Sequence, residues 1–192
     1  MKNLYLKIYN KILKKEFFNR DTVKVAQDLL GKILSYKNNS GIIVETEAYK
    51  DDQASHAFHK TNRSSLMFNS YAKFYIYFTY GNWYCLNITT EKNKPGAVLI
   101  RALQPLNNIR LMQKRRKTNE LYNLTNGPGK LCQAFNIDKI LNGTSLNEKI
   151  KILDNKLLKN FKIIRTTRIG ISKAKNLKWR FYIKDNKFVS KK

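Results

Sequence analysis

Glu45, Glu47 and Tyr49 alternate along the run Ile43-Val44-Glu45-Thr46-Glu47-Ala48-Tyr49, so an extended backbone puts all three on one face. Carboxylates in such a run are most often simply solvated. Here, however, the opposite face (Val44, Thr46, Ala48) is only weakly apolar, and neither face has the composition of an ordinary exterior. A carboxylate beside Tyr49, with His56 a short loop away, has the makings of a general base in an aromatic pocket. Arg101 interrupts the apolar run 97–103. On a sheet surface it would be ordinary, whereas buried it needs an acidic or phosphate partner. Gly127-Pro128-Gly129-Lys130 resembles a phosphate loop, but Leu124 replaces the required first glycine and Leu131 the Ser/Thr. What remains is either an ordinary Pro-started helix or a helix N-terminus whose free N–H groups and nearby lysine suffice for one phosphate.

The stretch 75–87, Tyr-Ile-Tyr-Phe-Thr-Tyr-Gly-Asn-Trp-Tyr-Cys-Leu-Asn, reads as two strands about a Tyr80-Gly81-Asn82 turn. The chain carries 38 Lys+Arg against 13 Asp+Glu, a net charge of +25. A rigid aromatic tip on a cationic body suits insertion into stacked bases while the surface holds phosphates. Aromatics packed in a core are the commoner fate of such a hairpin. Solubility alone does not call for so much self-repulsion, so an anionic partner is expected, nucleic acid or an anionic membrane. Biased use of Lys, Asn and Ile would inflate the charge without functional meaning. No apolar run approaches the roughly 20 residues of a membrane span, the N-terminus lacks a signal-peptide core, and no basic helix has a broad aromatic face. Cys85 and Cys132 have no Cys-x-x-Cys spacing and read as reduced thiols, which fits a cytoplasmic protein. With two histidines in the chain, no metal site is expected.

The elements that must position these residues follow from local signals. Residues 1–16 form a basic arm or helix, and 17–192 a single domain. Asp21 caps a helix over 22–30 that Gly31 ends. Strands at 32–36 and 41–49 are joined by the turn Asn38-Asn39-Ser40-Gly41. Residues 50–70 form a loop too long for a mere connector. Pro95-Gly96 turns the chain into a strand at 97–103, Leu106, Ile109 and Met112 mark a basic helix, and Pro128 opens another over 128–135. Short strands at 149–153, 161–165, 180–184 and 187–189 complete an α+β fold, one mixed domain around a curved antiparallel sheet with flanking helices and a protruding hairpin.

In order along the chain stand Val44-Glu45-Thr46-Glu47-Ala48-Tyr49, Tyr75-x-Tyr77-x-x-Tyr80-Gly81, Cys85-Leu86-Asn87, Leu99-Ile100-Arg101-Ala102-Leu103-Gln104-Pro105 and Gly127-Pro128-x-Lys130-Leu131-Cys132-Gln133-Ala134. Together, from about Phe17 to Ser190, they resemble the alkyladenine (3-methyladenine) DNA glycosylases of the single-domain mammalian and bacterial type. The resemblance implies an enzyme of base excision repair that uses no cofactor and acts as a monomer on double-stranded DNA containing damaged bases. It implies that the nucleotide is flipped out and that Glu47 activates water to attack C1′ of the deoxyribose, with Arg101 and the backbone carbonyl of Ile169 holding that water. Tyr49, His56 and Tyr77 match residues that hold the flipped base, and Asn87 the one that disfavours the 2-amino group of guanine. Tyr80 matches the tyrosine that fills the vacated stack. Gly81, Asn82, Trp83 and Lys130 are the further expected DNA contacts. Asn82 stands where the family commonly has methionine, and Tyr71-Ala72 replaces a Pro-Gly turn. The alternative from another class is a non-catalytic, basic nucleic-acid-binding protein.

Overall fold

The computed structural model describes residues 11–79, 81–155, 158 and 160–191. The first ten residues of the expected arm and Tyr80, which the resemblance matches to the tyrosine that fills the vacated stack, lie outside the described residues.

Strand β2 (Asn39–Tyr49) is the spine of the sheet, preceded by β1 (Ile33–Tyr36). Its partners arrive later: β3 (Phe74–Thr79), β4 (Trp83–Thr89), β5 (Ala97–Pro105), β6 (Ile150–Leu153), β7 (Ile163–Thr166) and β8 (Arg180–Ile183). The order is β3-β4-β5-β2-β1-β6, with β8 joining β2 to β7, and every pairing is antiparallel. β5 follows one edge of β2 along its length, while the other edge is divided between β1 at 39–42 and β8 at 45–47. At that fork the β2–β5 register slips twice. Ile43 faces Leu103, Glu45 faces Ala102, and Thr46 faces Ile100, leaving Val44 and then Arg101 as extra residues. Bulges of this kind sharpen the twist and re-aim side chains, which curls the sheet and lets Val44 enter the core while Glu45 and Glu47 stay opposite.

One face of the curl is apolar. Val44, Ala48, Phe74, Ile76, Leu86, Ile88, Val98 and Ile100 pack there against Val25 and Ala26 of α1 (Thr22–Asp28) and Leu29, which follows it as C-cap. Thr46, polar on this face, donates its hydroxyl to the Ala26 carbonyl of α1 at 2.7 Å. Asp21 caps α1 by accepting from the Lys24 amide at 3.0 Å, and Gly31 takes φ +80 just beyond it. A short α2 (Ser65–Asn69) interrupts the 50–70 loop. Helix α3 (Ile109–Arg116) packs on α4 (Pro128–Phe135), which lies against β4 and β5. Among the described residues no helix is long and apolar enough to cross a membrane.

Three local expectations are corrected. The first hairpin turns at Lys37-Asn38, with Lys37 at φ +52 and Tyr36 facing Asn39. Gly41 lies inside β2, where an added Cβ would come 3.1 Å from Leu103 Cβ and 3.2 Å from the Gln104 carbonyl. Its small size thus serves close packing and not a turn. Residues 187–189 form no strand; the chain turns on Asn186, whose Oδ1 accepts from the Phe188 amide at 2.9 Å, and so delivers Ser190 to Glu45. In the described part of the N-terminal arm, Ile12 bridges Leu153 in extended form and Lys15–Phe18 make a 3-10 helix.

Candidate active site

The second face of the sheet carries the polar chemistry. Glu47 faces Leu99, Leu99 faces Asn87, and Asn87 faces Tyr75, so four side chains form one row across β2, β5, β4 and β3. Tyr77 and Cys85 pair in the neighbouring row, beside Arg101 of the β5 bulge.

Glu47 is fully buried, against the solvated alternative. Its Oε1 accepts from the Ile169 amide at 2.7 Å, and its Oε2 accepts from the Tyr49 hydroxyl at 2.8 Å and Arg101 at 3.3 Å. Glu45 is equally buried and has a different task. It accepts from Arg101 Nε at 3.1 Å, Arg180 at 2.8 Å, the Ser190 amide at 2.7 Å and the Ser190 hydroxyl at 2.9 Å. It therefore fixes Arg101 and the C-terminal segment to the sheet. Burial alone would lower the pKa of Arg101, but Glu47 and Glu45 outweigh it and raise the value, keeping the guanidinium charged. Burial, reinforced by the charge of Glu47, pushes the Tyr49 phenol far above its ordinary value, so it remains a donor.

A second buried pair holds the loops above the sheet. Arg168 meets Asp52 through two bonds of 2.6 and 3.0 Å and donates to the Ala48 carbonyl at 3.2 Å. Its guanidinium also lies 4.8 Å from the Tyr49 ring centroid and 5.2 Å from that of Trp179. These contacts tie the 50–70 loop to the segment carrying Ile169. Sequence reading missed Asp52, Arg168, Arg180 and Ser190; the one available signal was an arginine directly preceding Ile169.

Above this network opens a cavity of about 530 Å³, within the range of small-molecule sites. Tyr49, Tyr77, Trp83, Cys85, Arg101 and Ile169 form its inner wall, and Arg116, Lys130 and the start of α4 at Gly127–Gly129 form its basic side. Glu47 lies immediately behind Tyr49, Arg101 and Ile169 and is not itself part of the wall. The Lys130 amine donates to the side-chain oxygens of Asn123 and, at 2.9 Å, Asn126. Burial and then the nearby charge of Arg116 lower its pKa. Arg116, not anticipated from sequence, is held by the Leu124 carbonyl at 3.2 Å and by Gln133. Among the described residues no group of acidic, histidine and cysteine side chains is placed to hold a metal.

The remaining expected residues sit around this centre. His56 stacks edge-on to Tyr77 with centroids 4.8 Å apart, and its Nδ1 meets the Tyr75 hydroxyl at 2.9 Å. Burial, followed by the charge of Arg63, holds its pKa below the ordinary value. Asn87 is on the correct sheet face but below the cavity wall, with its amide donating to the Tyr75 and Cys85 carbonyls at 3.0 and 3.3 Å. Trp83 is 42 % exposed and packs on Gly129, whose added Cβ would lie 2.9 Å from Trp83 Cβ. Gly81 (φ +66) and Asn82 are exposed at the hairpin turn, the Asn82 amide donating to the Thr79 carbonyl at 3.2 Å.

Residues 16–187 match the family model of methylpurine-DNA glycosylase. The chain belongs to that family. Relatives agree over nearly full length. A Clostridium novyi protein is 46% identical, with 95% of this chain and 100% of the relative covered. One from Prosthecochloris aestuarii is 48% identical, covering 92% and 90% respectively. A third, from Francisella tularensis subsp. tularensis, is 46% identical, covering 89% and 94%. All three are provisionally named 3-methyladenine DNA glycosylase. A methylpurine-DNA glycosylase is a hydrolase of N-glycosyl bonds that works in DNA repair, and its substrate is DNA.

Proposed function

We propose that this glycosylase flips an alkylated purine nucleotide out of duplex DNA and hydrolyses its N-glycosidic bond with water activated by Glu47, without cutting the strand. The observation that supports this most is the placement of Glu47, a buried carboxylate held by three donors directly behind an aromatic cavity with a cationic side. A purine methylated at N3 or N7 is a cation while attached to the sugar and leaves readily. Tyr49 and Tyr77 offer electron-rich faces for such a ring, and the cost of flipping is least for damaged or badly paired bases. As the bond lengthens, positive charge grows on the sugar, and the Glu47 carboxylate stabilises it while taking the proton of the attacking water. Arg101 and the Ile169 segment hold Glu47 and the water in register, and Lys130 and Arg116 receive the phosphates.

3-Methyladenine is the first substrate of this reading, 7-methylguanine follows by the same chemistry, and hypoxanthine and ethenoadenine are neutral candidates. Incubating the protein with alkylated duplex and measuring free 3-methyladenine tests it. Release of the base, with an intact abasic strand and no borohydride-trapped adduct, is expected. Tight DNA binding without base release would favour the non-catalytic alternative, and a trapped adduct would point to an amine nucleophile such as Lys130.

A further inference from the structure

The buried ions around Glu47 are matched, with Glu45, Glu47 and Asp52 set against Arg101, Arg168 and Arg180. The cations nearer the cavity are not: Arg116 and Lys130 on its basic side are bonded to neutral oxygens, and a further cation stands beside Tyr77. Arg63, on the loop before α2, lies 5.0 Å from the centroid of the Tyr77 ring and donates to the Phe78 carbonyl at 2.8 Å. Among the described residues it has no carboxylate partner. Its charge is felt inward: after burial, it is the cause that lowers the pKa of His56.

A ring whose π cloud already faces one cation offers less attraction to a second. A positive base resting against Tyr77 would also lie within a Debye length of the guanidinium. We propose that Arg63 is a specificity-determining residue that weakens the pocket's preference for cationic alkylpurines and so favours neutral purine lesions. This rests on the glycosylase reading above. The chemistry makes such a counterweight useful. Cationic bases stack well and leave easily without help, so an uncorrected aromatic pocket would be committed to them, while a neutral base gains from the charge being there first.

The test compares single-turnover excision of one 7-methylguanine and one hypoxanthine placed in the same duplex sequence. At separations near 8 Å in a partly wet site, one unit charge corresponds to about a 3- to 10-fold effect. Arg63→Gln keeps a donor for the Phe78 carbonyl and removes the charge, so the ratio of 7-methylguanine to hypoxanthine excision should rise by about that factor. Arg63→Lys keeps the charge and should leave the ratio within about twofold of the parent. An unchanged ratio in Arg63→Gln, or the same rise in Arg63→Lys, overturns the inference and leaves the glycosylase reading standing. So does a parent protein that releases 7-methylguanine and no hypoxanthine. A parent that releases neither these bases nor 3-methyladenine overturns both. If the parent releases hypoxanthine alone, appearance of 7-methylguanine release in Arg63→Gln supports the inference and its absence refutes it.

Discussion

The Ile169 amide donates to Glu47 Oε1 at 2.7 Å across 122 residues of chain. Neither residue's own element secures that bond. The segment bearing Ile169 is irregular, and what holds it is the preceding Arg168, locked on Asp52 and lying over the Tyr49 ring. The carboxylate proposed to activate water is thus positioned by an ion pair that touches neither the cavity's basic side nor Glu47 itself.

Removing one member of that pair should be costly. Arg168→Ala leaves the Asp52 carboxylate buried without its partner, a situation worth about 3–5 kcal/mol of stability. Urea denaturation should show a loss of that size, and Asp52→Ala with Arg168→Ala should lose less than the sum of the single changes. A loss under about 1 kcal/mol for Arg168→Ala would mean the two loops are held some other way.

Much of this arrangement was legible in the sequence because it obeys short-range rules. The alternation of Glu45, Glu47 and Tyr49 placed them on one face, and Pro128 marked the first turn of α4. Arg101 in an apolar run left a sheet surface or a buried site with an acidic or phosphate partner open, and the second holds, with Glu45 and Glu47 as the partners. Long-range contacts had no local signature. Nothing near Asp52 announces Arg168, 116 residues away, or near Glu45 announces Ser190, 145 away. Gly41 shows the ambiguity of a single residue type. A glycine in Asn-Asn-Ser-Gly is an apt turn signal, yet pairing of Ile33 with Ile42 sets the register and leaves Lys37-Asn38 to make the turn.

Gly129 should tolerate no side chain. An alanine Cβ there would sit 2.9 Å from Trp83 Cβ and 3.0 Å from its Cγ, so the indole or the start of α4 must shift. Overpacking of this kind costs about 1–3 kcal/mol. Gly129→Ala should lower stability by that amount, change Trp fluorescence and weaken lesion binding. Gly127→Ala, whose nearest contact would be Lys130 Cδ at 3.6 Å, should change stability by no more than about 0.5 kcal/mol. Equal behaviour of the two variants would remove the packing argument.

Affinity for duplex DNA should be strongly salt-dependent. A protein of net charge +25 that neutralises several phosphates releases their counterions, so log K falls linearly with log salt, at about 0.9 per phosphate. Arg116→Ala and Lys130→Ala should each reduce that slope by about one. A flat dependence in the parent protein would show that the charge does not serve DNA binding.

Asn87 should affect base choice even though its amide is turned to the Tyr75 and Cys85 carbonyls. It shares the cavity face of β4 with Trp83 and Cys85, so its bulk sets the depth available beneath the base. Asn87→Ser creates space there and should increase release of undamaged guanine, measured from unmodified duplex by chromatography of free bases. Damaged-base activity that persists while guanine release stays unchanged would refute a steric role.

The two buried glutamates should separate chemistry from architecture. Glu47→Gln keeps the shape and one acceptor oxygen, which serves either the Ile169 amide or the Tyr49 and Arg101 donors that the two carboxylate oxygens now divide between them, but it has no charge and takes no proton from water. Loss of a general base costs on the order of 10²–10⁴-fold, and loss of charge opposite the developing oxocarbenium adds to it. Single-turnover excision should therefore collapse while lesion binding stays within a few fold of the parent. Glu45→Gln strikes elsewhere. Its Oε1 receives both Arg101 and Arg180, and its Oε2 the Ser190 amide, so neutralising it leaves two buried guanidiniums short of a counter-charge. That change should lower the denaturation midpoint clearly, and Arg101, still paired with Glu47, should retain enough order for appreciable excision at low temperature. The informative quantity is the rate per folded molecule. If it falls further in Glu45→Gln than in Glu47→Gln, the water is activated by Glu45 and the roles are reversed; if it is unaffected in both, neither carboxylate carries the reaction.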